Sequence, residues 1–219
     1  MTDGDRQRAR ADEVRALVGD GDWTSAEPQP HRDCDGDPPA FEPFETTERR
    51  QVYESPWCGL RQDFIRLPDG HEQDYHVFEV SNAVAVVPIL PDGRIRMVWQ
   101  YRYPSGRSQW EVPAGRIHGG EDPAEGAARE LREEAGCVAE RLVQLPGFFP
   151  TGGISAHYAH AYLAVGCQQV GELELDPAER LVVRDFDRTE VERRLRDGVF
   201  ADAFTALALF YGLGALDRL

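Results

Sequence analysis

From residue 51 onward the chain breaks into short apolar-rich runs separated by turn residues. Residues 59–67 (GLRQDFIRL) and 72–80 (EQDYHVFEV) read as strands flanking Pro68-Asp69-Gly70, a tight-turn sequence. Residues 82–90 (NAVAVVPIL) and 94–102 (RIRMVWQYR) repeat the pattern around Pro91-Asp92-Gly93. Two antiparallel hairpins are predicted. Further strands are predicted at 108–115, 141–149, 157–165 and 180–186.

Between these runs the period lengthens to that of a helix. Asp122 is an N-cap residue, Pro123 suits the first helical position, Glu125 completes a capping box, and Gly136 is a C-terminal stop. The helix expected over 123–135 puts Ala127, Ala128, Leu131 and Ala135 on one small apolar stripe. A capping box of Thr189 and Glu192 predicts a helix over 189–198, and Asp202 caps an apolar helix that follows it. Residues 1–45 differ: a short helix is expected at 6–18, then a Gly-, Pro- and Asp-rich stretch with little periodicity. They read as a partly disordered or loosely docked arm, tethered by Trp23 and Phe41, with the folded domain at 46–219. The fold class expected is α+β, with a twisted sheet and few helices.

Composition narrows the chemistry. The 219-residue chain has a net charge of −15, and all 24 basic residues are arginine. That balance argues against nucleic acid or an anionic membrane as partner. A small anionic ligand stays open, because a bound divalent cation inverts the local field. The four cysteines are scattered without a C-x-x-C pair, so a reducing, cytoplasmic setting is expected. The first residues lack the apolar core of a signal peptide, and no apolar run reaches membrane-spanning length.

The acidic residues are concentrated in one place. Residues 115–137 (GRIHGGEDPAEGAARELREEAGC) hold five glutamates, and Glu130, Glu133 and Glu134 fall within five positions. Like charges one turn apart cost a helix about 0.2–0.5 kcal/mol each, of which an Arg129–Glu133 pair offsets a little. Taken alone, these residues fit either a solvated acidic face or a carboxylate cluster relieved by a hard cation such as Mg²⁺.

The wider spacing is more specific. Gly115, Glu121, then Arg129-Glu130-Leu131-Arg132-Glu133-Glu134-Ala135-Gly136 reproduces G-x5-E-x7-R-E-U-x-E-E-x-G-U, with Cys137 at the last aliphatic position. This resembles the Nudix box at every fixed position. The resemblance implies a Nudix fold, an αβα sandwich around a mixed β-sheet, here with an N-terminal antiparallel hairpin region. It implies Mg²⁺, or Mn²⁺ in its place, held by Glu130, Glu134 and the Ala114 carbonyl, with Gly115 turning the strand sharply so that this carbonyl faces the ion. Glu133 is then a further ligand or the base, Arg129 orients Glu133, and Glu121 joins through water.

Residues 57–219 further resemble the ADP-ribose pyrophosphatase branch, through VVPILPDGRIRMVWQYRYP, WEVPAGRI, FFPTGGISAHYAHAYLA and LDPAERLVV. The branch implies hydrolysis of ADP-ribose or a related nucleoside diphosphate sugar to a nucleoside monophosphate and a sugar phosphate. By the same resemblance Arg102 lies near the phosphates, and Gly152 and Gly153 contact substrate. An aromatic from Trp57, Tyr53 and Phe44 holds the base across a homodimer of exchanged N-terminal strands, although a core anchor is the simpler role for each. Two departures stand out. Pro150-Thr151-Gly152-Gly153 displaces the branch's proline by one position, and Pro177 replaces the first of two loop acids while Glu179 keeps the second as an extra ligand. The base then falls to Glu133, with Asp176 as second choice. His118, His157 and His160 read as satisfied or exposed histidines. The alternative is a non-catalytic nucleotide-sugar sensor with residues 1–45 as a partner-binding arm.

Overall fold

The structure, a computed structural model, describes residues 41–175 and 180–219. Trp23, the helix expected at 6–18, and Asp176, Pro177 and Glu179 lie outside the described residues.

The described chain runs β1 (Glu45–Glu54), β2 (Gly59–Arg66), β3 (Glu72–Glu79), β4 (Ala83–Ile89), β5 (Ile95–Arg102), β6 (Arg107–Glu111), β7 (Ala114–Arg116), α1 (Pro123–Ala135), β8 (Cys137–Val138), β9 (Arg141–Phe148), β10 (Ala159–Val165), β11 (Gln168–Gln169), β12 (Leu181–Phe186), α2 (Arg188–Arg196) and α3 (Ala203–Leu216). β1, β2 and β3 form an antiparallel sheet. The main sheet has the order β12-β5-β4-β10-β9, with β6 on β5 and β7 on β4. It is mixed, because β4 and β10 run parallel while their other pairings are antiparallel.

β4 shows how the layers arise. All seven of its residues are buried, so alternation decides only which layer each one enters. Ala85, Val87 and Ile89 join α2 and α3 through Val191, Ala208, Leu209 and Leu213. Val84 and Val86 face α1 through Ala124, Ala127, Leu131 and Ala135. The result is the expected α–β–α sandwich. The alanine stripe lets α1 lie close to the sheet, and burying Leu131 contributes about 2 kcal/mol.

Several elements differ from expectation. β1 is fully exposed along its length and carries no apolar alternation, so its pairing with β2 supplies the only signal. The hairpin of β4 and β5 is splayed to a single register pair, Ile89 with Ile95. The run 108–115 splits at Val112-Pro113, because proline cannot donate to a ladder. β6 therefore stays on β5 and β7 moves to β4. α2 begins one residue early, at Arg188 after Asp187, and no side chain caps it. Glu192 instead accepts from Arg188 Nε at 2.7 Å. Asp202 does cap α3, accepting the Thr205 N–H at 2.8 Å. Among the described residues no helix is long and apolar enough to cross a membrane.

Replacing Asp202 with alanine removes that cap and is expected to lower unfolding free energy by about 1 kcal/mol, read from denaturant melts. An unchanged midpoint would show that water replaces the cap without cost.

Candidate active site

The site grows from α1. Asp122 accepts the Ala124 N–H at 2.8 Å, and Gly136 closes the helix at φ 62° with its N–H on the Arg132 and Leu131 carbonyls. This fixed register turns Glu130 and Glu134 inward, to 7 % and 2 % exposure. Glu134 Oε2 accepts the Ala114 N–H at 2.8 Å. Glu130 packs against Gly115 so closely that a Cβ there would overlap its carboxylate. The two carboxylates thus stand against consecutive residues of β7.

Gly115 does not serve as the sharp turn expected of it. Its φ is not among the positive ones, so its lack of a side chain, not its backbone freedom, is what the site needs.

Arg129 ties the cluster together. Its Nε and one terminal nitrogen grip Glu121 at 2.8 and 3.1 Å, and that nitrogen also reaches the Arg116 carbonyl at 3.0 Å. The other terminal nitrogen bonds Glu130 at 2.6 Å and Glu133 at 3.0 Å. Burial works to raise the Glu121 pKa, but the Arg129 bonds and the His118 N–H outweigh it and hold the carboxyl below its ordinary value. Glu121 is therefore directly committed to Arg129, where a water-bridged role was expected.

Arg102 lies across the splay. Its guanidinium makes a two-handed bond to Glu111, at 3.0 and 2.6 Å to Oε2, and Gln109 donates to the same carboxylate at 2.8 Å. Burial works against the Arg102 charge, but Glu111 more than offsets it, and the charges of Glu134 and Asp202 add to the upward shift. Glu111 is 2 % exposed and was missed in the sequence. The signal available was a glutamate in a strand otherwise reading as core. Arg116 was missed too: its guanidinium lies over the Trp57 ring at 4.7 Å and donates to the Trp57 carbonyl at 3.2 Å. That brings Trp57 to Arg116, the last residue of β7.

The remaining predicted residues are spread more widely. Trp57, Tyr53 and Phe44 are 68 %, 55 % and 53 % exposed, so none is a core anchor. Trp57 borders a cavity of about 420 Å³ with Gln51, Glu54, Ser55 and Glu79. Gly152 and Gly153 line a different cavity of about 450 Å³, with Arg61, Tyr75 and Phe149. Tyr75 donates its hydroxyl to the Gly153 carbonyl, which fastens this loop to β3. His157 Nδ1 lies 2.6 Å from the Ser81 carbonyl oxygen. His160 is buried, and its Nδ1 has no hydrogen-bond partner among the described residues, contrary to expectation. Burial lowers its pKa, with Asp122 acting the other way. Glu174 pairs with Arg132 at 3.4 Å and donates its N–H to the Glu133 carbonyl, so the segment before residues 176–179 is pinned to α1.

The donor set fits a hard divalent cation. Two buried carboxylates meet against consecutive residues of β7, Glu134 on the Ala114 N–H and Glu130 on Gly115, and a hard cation such as Mg²⁺ would take such oxygens together with waters and phosphate oxygens. Among the described residues no three His, Cys, Asp or Glu side chains form a ready-made cage.

The chain belongs to the Nudix family: residues 80–207 match the NUDIX domain model, and residues 44–78 match the nucleoside diphosphate sugar hydrolase N-terminal domain. It is a Nudix pyrophosphohydrolase. It is 30 % identical over 167 residues to an ADP-ribose pyrophosphatase of Bacillus subtilis, covering 76 % of this chain and 90 % of that one. It is 39 % identical over 132 residues to an ADP-ribose pyrophosphatase of Mycobacterium tuberculosis, covering 60 % and 64 %. A solved structure of an ADP compounds hydrolase superposes with a TM-score of 0.73 at 22 % identity, over 83 % of this chain and 98 % of that one, which speaks to the fold alone.

Gly115→Ala is expected to displace Glu130 and cut turnover by about 10²-fold or more while leaving the fold intact, since positioning errors of an ångström have that cost. Steady-state kinetics beside a circular dichroism melt separates the two effects, and wild-type kinetics would show that Glu130 needs no such approach.

Proposed function

We propose that this enzyme hydrolyses the diphosphate of ADP-ribose or a related nucleoside diphosphate sugar, giving a nucleoside monophosphate and a sugar phosphate, with Mg²⁺ as cofactor and Mn²⁺ able to replace it. The observation that carries the reading is the pair of buried carboxylates, Glu130 and Glu134, held against Ala114 and Gly115. Relatives named ADP-ribose pyrophosphatase support the substrate class.

In this reading Glu130, Glu134 and the Ala114 carbonyl hold the cation, and Glu179 adds a ligand from the loop. A bound divalent cation neutralises diphosphate charge and lowers the pKa of a water. Glu133 accepts the proton of the attacking water, and its bond from Arg129 at 3.0 Å orients the carboxylate for that task. Arg102 donates from its remaining terminal nitrogen to a phosphate oxygen. Trp57 stacks on the base, and Gly152 and Gly153 let backbone approach the substrate. The homodimer forms through the N-terminal strands. Support comes from β1, an exposed strand whose outer edge has no ladder partner among the described residues, beside Phe44 and Tyr53. A cytoplasmic setting is supported by the free thiols Cys58, Cys137 and Cys167.

Glu134→Gln keeps the acceptor for the Ala114 N–H but loses the charge. AMP release from ADP-ribose in Mg²⁺ is expected to fall by about 10²-fold or more. Undiminished release would remove Glu134 from the cation site and reject the mechanism.

A further inference from the structure

The chain leaves β6 at Glu111 and enters β7 at Ala114, so Val112 and Pro113 belong to neither ladder. Val112 is buried, and a buried N–H without an acceptor is costly. Pro113 has no N–H, and its carbonyl accepts the Val86 N–H at 2.9 Å. The Val112 N–H is taken by a side chain 93 residues further along the chain, Thr205, whose Oγ1 accepts it at 3.2 Å. Thr205 is fully buried on the first turn of α3, far outside the Nudix box. Burying its hydroxyl costs free energy that the bond to Val112 offsets.

This bond closes a chain of contacts from α3 to the carboxylate cluster. Asp202 accepts the Thr205 N–H at 2.8 Å and holds the residue at the helix start. Two residues after Val112, the Ala114 N–H donates to Glu134 at 2.8 Å. α3 and α1 pack on opposite faces of the main sheet. Val112, Pro113 and Ala114 are therefore gripped in turn by α3, β4 and α1. The ladder of β7 on β4 is only three pairs long, so the contacts at its entry carry much of its placement.

We propose that Thr205 is a positioning residue of the active site: by accepting the Val112 N–H it sets where the chain enters β7, and so fixes Ala114 against Glu134 from the opposite face of the sheet. Without the hydroxyl, the Val112 N–H must turn to another acceptor, and Ala114 two residues on moves with it. The bond from Ala114 to Glu134 then loosens, and the carbonyl that the proposed function gives to the cation leaves its place. Groups that orient metal ligands from behind typically change metal affinity or activity by about 10–100-fold when removed.

The consequence for the cation rests on the proposed function, so the test has one reading with metal and one without. The full chain is compared as wild type, Thr205→Val, Thr205→Ser and Val191→Ala. Valine keeps the shape of threonine without the acceptor, and serine keeps the acceptor. Val191→Ala opens the same apolar layer at α2, away from Val112, and serves as a match for lost stability. Amide hydrogen exchange, read without metal, is expected to speed up at Val112 and Ala114 in Thr205→Val by about tenfold more than at the β10 amides. Mn²⁺ affinity, read by electron paramagnetic resonance without substrate, is expected to fall by about tenfold in the same variant. Thr205→Ser is expected to stay within about threefold of wild type in both readings. Val191→Ala is expected to lower the melting temperature at least as much as Thr205→Val and to leave Mn²⁺ affinity unchanged. Wild-type exchange at Ala114 in Thr205→Val would overturn the proposal. Equal weakening of Mn²⁺ binding in Val191→Ala would show general loosening of the fold and overturn it as well. Faster exchange at Ala114 in a chain whose wild type binds no Mn²⁺ would uphold the positioning role and reject the cation site, so the two failures are distinct.

Discussion

The arrangement of this molecule depends on carboxylates forced together in a place with little water. Glu130 and Glu134 are one helical turn apart, both buried, and both pressed on a three-residue strand. Charges in such surroundings need partners, and the partners here are an arginine and a backbone N–H. Arg129 alone touches three glutamates. Its own charge is strongly stabilised, because those bonds outweigh the cost of burial. The cluster is therefore poised: neutral enough to fold, and acidic enough to take a small cation in place of part of that network.

Sheet topology delivers the strands to this cluster. Had β4 and β5 continued as a full hairpin, β7 would have had no edge to join. The splay after Ile89 and Ile95, together with the break at Pro113, inserts β6 and β7 as a wedge. Glu111 and Ala114 are close in sequence yet belong to different strand pairings, one facing Arg102 and the other receiving Glu134. The alanine stripe of α1 is the matching condition, since larger residues would lift the helix and its glutamates off the strand.

Arginine does all the cationic work in a chain that has no lysine. The guanidinium can grip one carboxylate with two nitrogens and still present a third donor, which an ammonium cannot do in one plane. Arg129 uses that geometry between Glu121 and the α1 glutamates, Arg102 uses it on Glu111, and Arg116 sets its guanidinium carbon over the Trp57 ring. Arg96 does the same away from the site, pairing with Asp185 on β12. A single residue type thus joins the turn between β1 and β2 to β7, β7 to α1, and β5 to β6.

Much of this was readable in one dimension, because local rules are strong where spacing is rigid. Asp122, Pro123 and Gly136 bound α1 as their chemistry requires, and the spacing from Gly115 to Gly136 carried the acidic cluster and its family. The continuously apolar strands 82–90 and 157–165 were legible because a strand buried on both faces has few other ways to be written. β1 was not legible, since a fully exposed strand has no apolar rhythm and exists through its ladder to β2. The true duty of Gly115, the hold of Glu111 on Arg102, and the stacking of Arg116 on Trp57 were decided by tertiary structure. Each depends on a contact between different elements, and no spacing within one element encodes such a distance.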